Sequence, residues 1–192
     1  KSGFYNSAGA LVNSDKTQVN GEYGKYITDE YGNVRKDYKD FYKNYDNLHY
    51  GIDIIAPLDT SAQILAGISG KVISNEWGKD SGWAVHMNYG YNFEESFIST
   101  GIYGEYDHFA SQSVTSINSY YSGNSTVGTM GTTGKSTGIH LHYTPYTRNT
   151  NPYSDTTMRL LFGPNYASTS MYNGLGKTVY DPTYFYNTYK RR

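Results

Sequence analysis

The chain has 192 residues, enough for one domain with an arm or large loops. It holds 37% hydrophobic residues, 23 Tyr, 21 Gly and 5 Pro, a balance that favours strands and Gly-rich turns over a helical bundle. There is no Cys and the net charge is −1, which excludes disulfides, thiolate metal sites and Cys nucleophiles and leaves no basic footprint of the kind that binds nucleic acid.

Residues 1–40 are polar, with sparse apolar positions of no steady period. They read as an N-terminal arm or lead-in, holding short strands at most, ahead of a domain over residues 41–192. Asp37 to Tyr45 has room for one helical turn. The texture changes at Ile52, where Ile52-Asp53-Ile54-Ile55-Ala56-Pro57 reads as a short buried strand ended by Pro. Ser61 to Ala66 and Gly70 to Ser74 read as two further short strands. Trp83-Ala84-Val85-His86-Met87-Asn88 alternates cleanly, placing Trp83, Val85 and Met87 on one face. Residues 89–103 read as a hairpin tip or inserted loop, and Ile102 to Phe109 as the returning strand. Ser111 to Asn124 is loop-like, Gly128 to Gly138 is a turn region, and Ile139 to Pro145 is a strand. Residues 146–180 read as a long polar tail, with a terminal turn at Tyr180-Asp181-Pro182. The expected fold is all-β, a central antiparallel sheet whose long loops line a site.

The chain begins with Lys, as expected of a processed or excised piece, and no apolar run of about 18 residues predicts a membrane span.

Chemistry concentrates on five histidines: His49, His86, His108, His140 and His142. In a strand, residues two apart share a face at ~6.7 Å, so His140 and His142 can converge on one small site while Leu141 points to a core. His49 and Asp53 would stand ~13 Å apart on a straight strand, too far for two ligands of one Zn²⁺ bonded at ~2.0–2.2 Å. A bend at Gly51 would bring them together. Two His and one carboxylate with an open fourth position is the pattern of a catalytic zinc site, and the remaining histidines are the available acid/base groups. The plainer readings are that His86, with no motif around it, is a structural or exposed strand residue, that Asp46 and Asp107 are solvated charges, and that Tyr mostly covers strand surface. The glycines of 128–138 lack the Gly-Lys-Ser/Thr spacing of a phosphate loop.

These stretches, taken together, resemble the lysostaphin-like (M23) zinc endopeptidases. Leu48-His49-Tyr50-Gly51-Ile52-Asp53-Ile54 is similar to that family's first metal motif. Ala62 to Ala66 with Gly70-Lys71-Val72 is similar to the strand pair that follows, and Tyr106-Asp107-His108-Phe109 to its Tyr-x-His-Leu strand. Gly131 to Tyr143 is very close to its Gly-rich approach and His-x-His signature, and Tyr180-Asp181-Pro182 resembles its closing Asp-Pro. The likeness spans roughly residues 46–187. It implies that His49, Asp53 and His142 bind Zn²⁺, that His108 and His140 are catalytic histidines outside the ligand set, and that the fold has a groove walled by loops. It further implies hydrolysis of peptide stems or cross-bridges of bacterial peptidoglycan, at an extracellular, cell-envelope or phage-virion location. Ile139 stands where the family usually has Pro, and residues 89–103 and 146–180 are longer than usual, so they are expected to be groove walls. An oxyanion-holding Tyr of the family has Tyr42 and Tyr45 as candidates here. The competing expectations are a non-catalytic wall-binding or activator module on a peptidase-like scaffold, and a structural part of a larger assembly such as a phage tail tip.

Overall fold

The structure, a computed structural model, describes residues 18–21, 51–56, 61–148, 170–172 and 178–180. Every regular element among them is a strand: β1 (Gln18–Gly21), β2 (Ile52–Ile55), β3 (Gln63–Leu65), β4 (Gly70–Gly78), β5 (Gly82–Phe93), β6 (Ser96–Phe109), β7 (Tyr120–Tyr121), β8 (Thr126–Thr129), β9 (Leu141–Thr147), β10 (Ser170–Tyr172) and β11 (Thr178–Tyr180). One nine-stranded antiparallel sheet runs in the order β1-β2-β9-β6-β5-β4-β7, and β3 pairs with β8 in a second, two-stranded sheet. Strand β11 also pairs with β9, at Thr147 and Tyr146, and carries β10 beside it. The edge of β9 is therefore shared, with β2 taking Leu141 to Tyr143. The Gln18–Gly21 segment of the arm joins the same sheet, with Gly21 opposite Asp53.

Alternation along the central strands puts one face of the sheet into a core. Ile52, Ile54, Val85, Met87, Tyr106, Leu141 and Tyr143 are buried there with Ile64, Phe109 and Val127. The intervening residues Asp53, His86 and His142 are half-buried on the other face. Strand β2 fits its reading as a short buried strand, and the structure turns Ile52 and Ile54 inward and leaves Asp53 half-buried.

Three expectations need correction. Residues 89–103 are a hairpin tip, the first of the two readings given for them, and not an inserted loop; β5 and β6 continue as a ladder through Tyr91↔Ile98 and Phe93↔Ser96. This arm runs past the core, so Tyr91, Phe93 and Ile98 stay exposed, and hydrophobic alternation gave no sign of the pairing. Asp107 is buried rather than solvated, because β6 is an inner strand with β5 on one side and β9 on the other.

The tyrosines are the third correction. Tyr89, Tyr106, Tyr143, Tyr146 and Tyr180 are buried. Tyr106 donates to the Ala66 carbonyl, so its oxygen accepts from Tyr89 at 2.7 Å, and Tyr89 in turn accepts from Tyr143 at 2.8 Å. The relay satisfies three phenols inside an apolar core, where each left unpaired would cost about 1–3 kcal/mol. Burial, followed by the neighbouring Tyr106 and Tyr143, holds the Tyr89 phenol well above its ordinary range. A Cβ at Gly104 would overlap the Tyr89 phenol, so glycine is what admits the ring.

Candidate metal centre and active site

The site forms where β2, β9 and β6 lie side by side. Asp53 of β2 pairs with His142 of β9, and His142 pairs with Asp107 of β6. Directly opposed residues share a face, so cross-strand register alone brings Asp53 to His142. The His142 Nδ1 lies 2.9 Å from Asp53 Oδ1. His140 stands two residues earlier, at the mouth of β9, where its backbone N–H donates to the Gly131 carbonyl. Its Nε2 reaches to 3.5 Å from the same Asp53 oxygen.

His108 arrives differently. An unbroken β6 would point it away from the face that carries Asp107. Its backbone instead takes φ 65, a left-handed conformation that costs a non-glycine residue of order 1–3 kcal/mol, and its N–H donates to the Ser81 carbonyl. The rotation sets the His108 ring 4.7 Å from that of His140 and 6.2 Å from that of His142. Strain of this kind held at a cluster of polar side chains is a common mark of function.

The protonation pattern follows from the hydrogen bonds. His108 Nδ1 donates to the Thr133 carbonyl at 2.8 Å, leaving Nε2 as the bare nitrogen of the neutral ring. Burial, then the neighbouring His142 and His140, lowers its pKa to about 4, against a smaller upward pull from the Thr133 carbonyl and Asp53. His140 Nδ1 donates to the Gly138 carbonyl at 2.8 Å, with Ser136 Oγ beside it at 3.3 Å, so its Nε2 faces Asp53. Both rings are thus held by main-chain carbonyls of the Gly-rich turn, which gives that turn a definite role in aiming them.

Among the described residues no group of three or more His, Cys, Asp or Glu is disposed to hold a metal ion. His49, the third ligand that the family resemblance implies, lies outside the described residues, as do Tyr42, Tyr45 and the helical turn expected at Asp37 to Tyr45. The donors that are described suit a zinc ion. Asp53 and His142, in contact at 2.9 Å, supply a carboxylate oxygen and an imidazole nitrogen, donors of the kind that would hold zinc.

Gly51 lies at a bend of the chain, as expected, and has a second role as well. A Cβ there would lie 2.6 Å from Thr144 Oγ1, 2.6 Å from the Tyr143 carbonyl oxygen and 2.7 Å from His142 Cε1. The glycine lets β2 lie directly against the His142 ring. His86 does not join the cluster. Its Nδ1 is 3.1 Å from Tyr146 Oη and its Nε2 3.7 Å from Glu105, consistent with the plain structural reading of that residue.

An antiparallel sheet thus gathers a carboxylate and three imidazoles on one face. Residues 47–154 match peptidase family M23, more than half of the chain, and the chain belongs to that family. The fold is similar to the catalytic domain of the antimicrobial peptidase lysostaphin from Staphylococcus simulans, with a TM-score of 0.50 and 21% identity over 74% of this chain and 87% of that one. It is similar to a zinc containing peptidase from Vibrio cholerae, at 0.50 and 18% over 74% of this chain and 40% of that one. It is also similar to the catalytic domain of a point mutant of the prophage-encoded M23 protein EnpA from Enterococcus faecalis, at 0.50 and 21% over 70% and 84%. No curated protein sequence matches the chain. No helix among the described residues is long and apolar enough to cross a membrane.

Proposed function

We propose that the protein is a zinc-dependent endopeptidase that hydrolyses peptide bonds in the stems or cross-bridges of bacterial peptidoglycan, acting outside the cell, in the envelope or from a virion. The observation that carries this reading is the meeting of Asp53, His142, His140 and His108 on one sheet face, in a chain of the M23 peptidase family. His142 and Asp53, with His49, would hold Zn²⁺, which when bound supplies Lewis-acid polarisation of the scissile carbonyl and acidifies water beside it.

The chain's own residues do the rest. His108 stays neutral at pH 7 because its pKa lies near 4, so its bare Nε2 can accept a proton from the attacking water. His140, with Nδ1 anchored on Gly138, presents Nε2 on the same side; once that nitrogen has taken a proton, it can donate to the developing oxyanion or to the leaving amine. An extended peptide running across the sheet face would carry its scissile carbonyl between these rings.

The deciding experiment incubates the zinc-loaded protein with purified peptidoglycans of several cross-link types and identifies new termini by mass spectrometry. New peptide termini that disappear on chelation, and return with zinc, are the expected result. Bound zinc with no new termini on any wall preparation would instead favour a wall-binding module built on a peptidase scaffold.

A further inference from the structure

We infer that Thr144 is a positioning residue for His142, reversing the sense of its hydrogen bond when the site takes up a cation. The inference rests on the reading of His142 as a zinc ligand. Thr144 lies two residues beyond His142 on β9, on the same face. Its Oγ1 is 2.9 Å from His142 Nε2, while Nδ1 of the same ring is 2.9 Å from Asp53. Both ring nitrogens are therefore engaged, and the proton on each decides what the other can do.

Without a cation, the Asp53 carboxylate can only accept, so Nδ1 carries the proton and donates to it. A neutral ring then has a bare Nε2, to which the Thr144 hydroxyl donates. With a cation between His142 and Asp53, Nδ1 must offer its lone pair. The ring proton moves to Nε2, and the Thr144 oxygen becomes its acceptor. A hydroxyl can do both by rotating about its C–O bond. A valine, of nearly the same shape, can do neither. A ring N–H held by a fixed acceptor makes the ligand nitrogen more basic and fixes the plane of the ring, and loss of such partners elsewhere weakens metal binding about 10–100-fold.

Two features show that the bond is built in rather than incidental. Thr144 is buried, with 5% of its surface exposed, so water is not at hand to replace it. Gly51, just before β2, covers the pair, close enough that a Cβ would strike both Thr144 Oγ1 and His142 Cε1. The ring is thus clamped between a strand that offers no side chain and a hydroxyl set at its far nitrogen.

The test compares wild type, Thr144→Val and Thr144→Ser by zinc competition against a chromophoric chelator, with thermal unfolding run alongside. Ring ¹⁵N spectra of His142 are recorded with and without zinc. Thr144→Val is expected to lower zinc affinity about 10–100-fold and Thr144→Ser to restore most of it. In zinc-loaded wild type and in the Ser variant, a slowly exchanging His142 Nε2–H is expected. Equal zinc affinity in folded wild type and Thr144→Val overturns the inference while leaving the zinc site intact. A zinc-loaded wild type whose His142 Nε2 carries no proton also overturns it, and needs no variant to fold. A wild type that binds no zinc at all overturns the zinc reading itself, and is told apart because the variants then cannot differ.

Discussion

Two histidine-bearing regions lie on the same face of the sheet and behave as opposites. At one, Asp53, His142, His140 and His108 crowd together, with a single carboxylate oxygen facing two imidazoles at 2.9 and 3.5 Å and the third ring, that of His108, tilted against His140 at 4.7 Å. At the other, on β5, β6 and β9, His86 sits against Tyr146 at 3.1 Å and Glu105 at 3.7 Å. Tyr103 stacks on Tyr146, and the Arg148 guanidinium lies over Tyr103. Burial, then Glu105, pushes the Tyr146 phenol well above its ordinary range, with Arg148 pulling the other way. In the second region a hydroxyl and a carboxylate of opposite demand flank one imidazole. In the first, two imidazoles face one carboxylate oxygen with a third ring beside them, and burial makes protonating His108 costly. A concentration of electron pairs with too few protons is what a cation resolves.

The largest break in this contrast comes from the ligand pair. Asp53→Ala and His142→Ala are expected to lose stoichiometric zinc by metal analysis and, with it, all measurable wall lysis. His108→Ala and His140→Ala are expected to keep zinc but lose about 10²–10⁴-fold in kcat, the usual range for a removed acid/base or oxyanion donor. The split between variants that lose metal and variants that lose only turnover is the informative result. Zinc loss in His108→Ala would place that residue among the ligands and dissolve the assignment of roles.

A smaller effect should appear in the acid stability of the metal-free protein. His108 titrates near 4 when folded and near 6.5 when unfolded. Between those values the unfolded chain binds more protons, so stability falls as pH falls, and it is recovered as pH rises through 6.5. From pH 7 to pH 5 this amounts to about 2 kcal/mol, read as a drop in the urea midpoint. His108→Asn should flatten that part of the pH profile, and an unchanged profile would mean that the ring is not held neutral by its surroundings.

Much of this arrangement was readable before any coordinates. Asp53 alternates with Ile52 and Ile54 in a short apolar run, and His140 and His142 are two apart on a strand, so each could be assigned a face from spacing alone. The lysostaphin-like fold could be read from the motifs in order, and the chain's membership of M23 accords with them. What escaped was whatever depends on a dihedral or on a partner strand. Nothing in Tyr106-Asp107-His108-Phe109 announces that His108 turns to φ 65, and alternation would have sent its ring elsewhere. Asp107 looked solvated because burial on an inner strand is a property of neighbours supplied by residues far away in sequence. The outer part of the 89–103 hairpin hid for the opposite reason: from Tyr91 to Ile98 it pairs beyond the core. Thr144 had a signal, its place two residues beyond His142, but a hydroxyl at that spacing becomes meaningful only once the ring is seen to lean toward it.

The smallest expected effect tests whether the second region is separate from the first. His86→Gln keeps a polar group near Tyr146 and Glu105 but cannot reproduce the ring that lies edge-on to Tyr146 at 6.0 Å. Its loss should cost about 1 kcal/mol of stability, the usual worth of one hydrogen bond. Zinc content and the products released from peptidoglycan should not change, because His86 is held by partners other than Asp53, His140 and His142. A His86→Gln variant that unfolds normally but cleaves a different bond, or cleaves markedly more slowly, would show that the peptide runs over this end of the face as well. The two regions would then be one groove, with the metal site at one end and a second contact point at the Glu105 row.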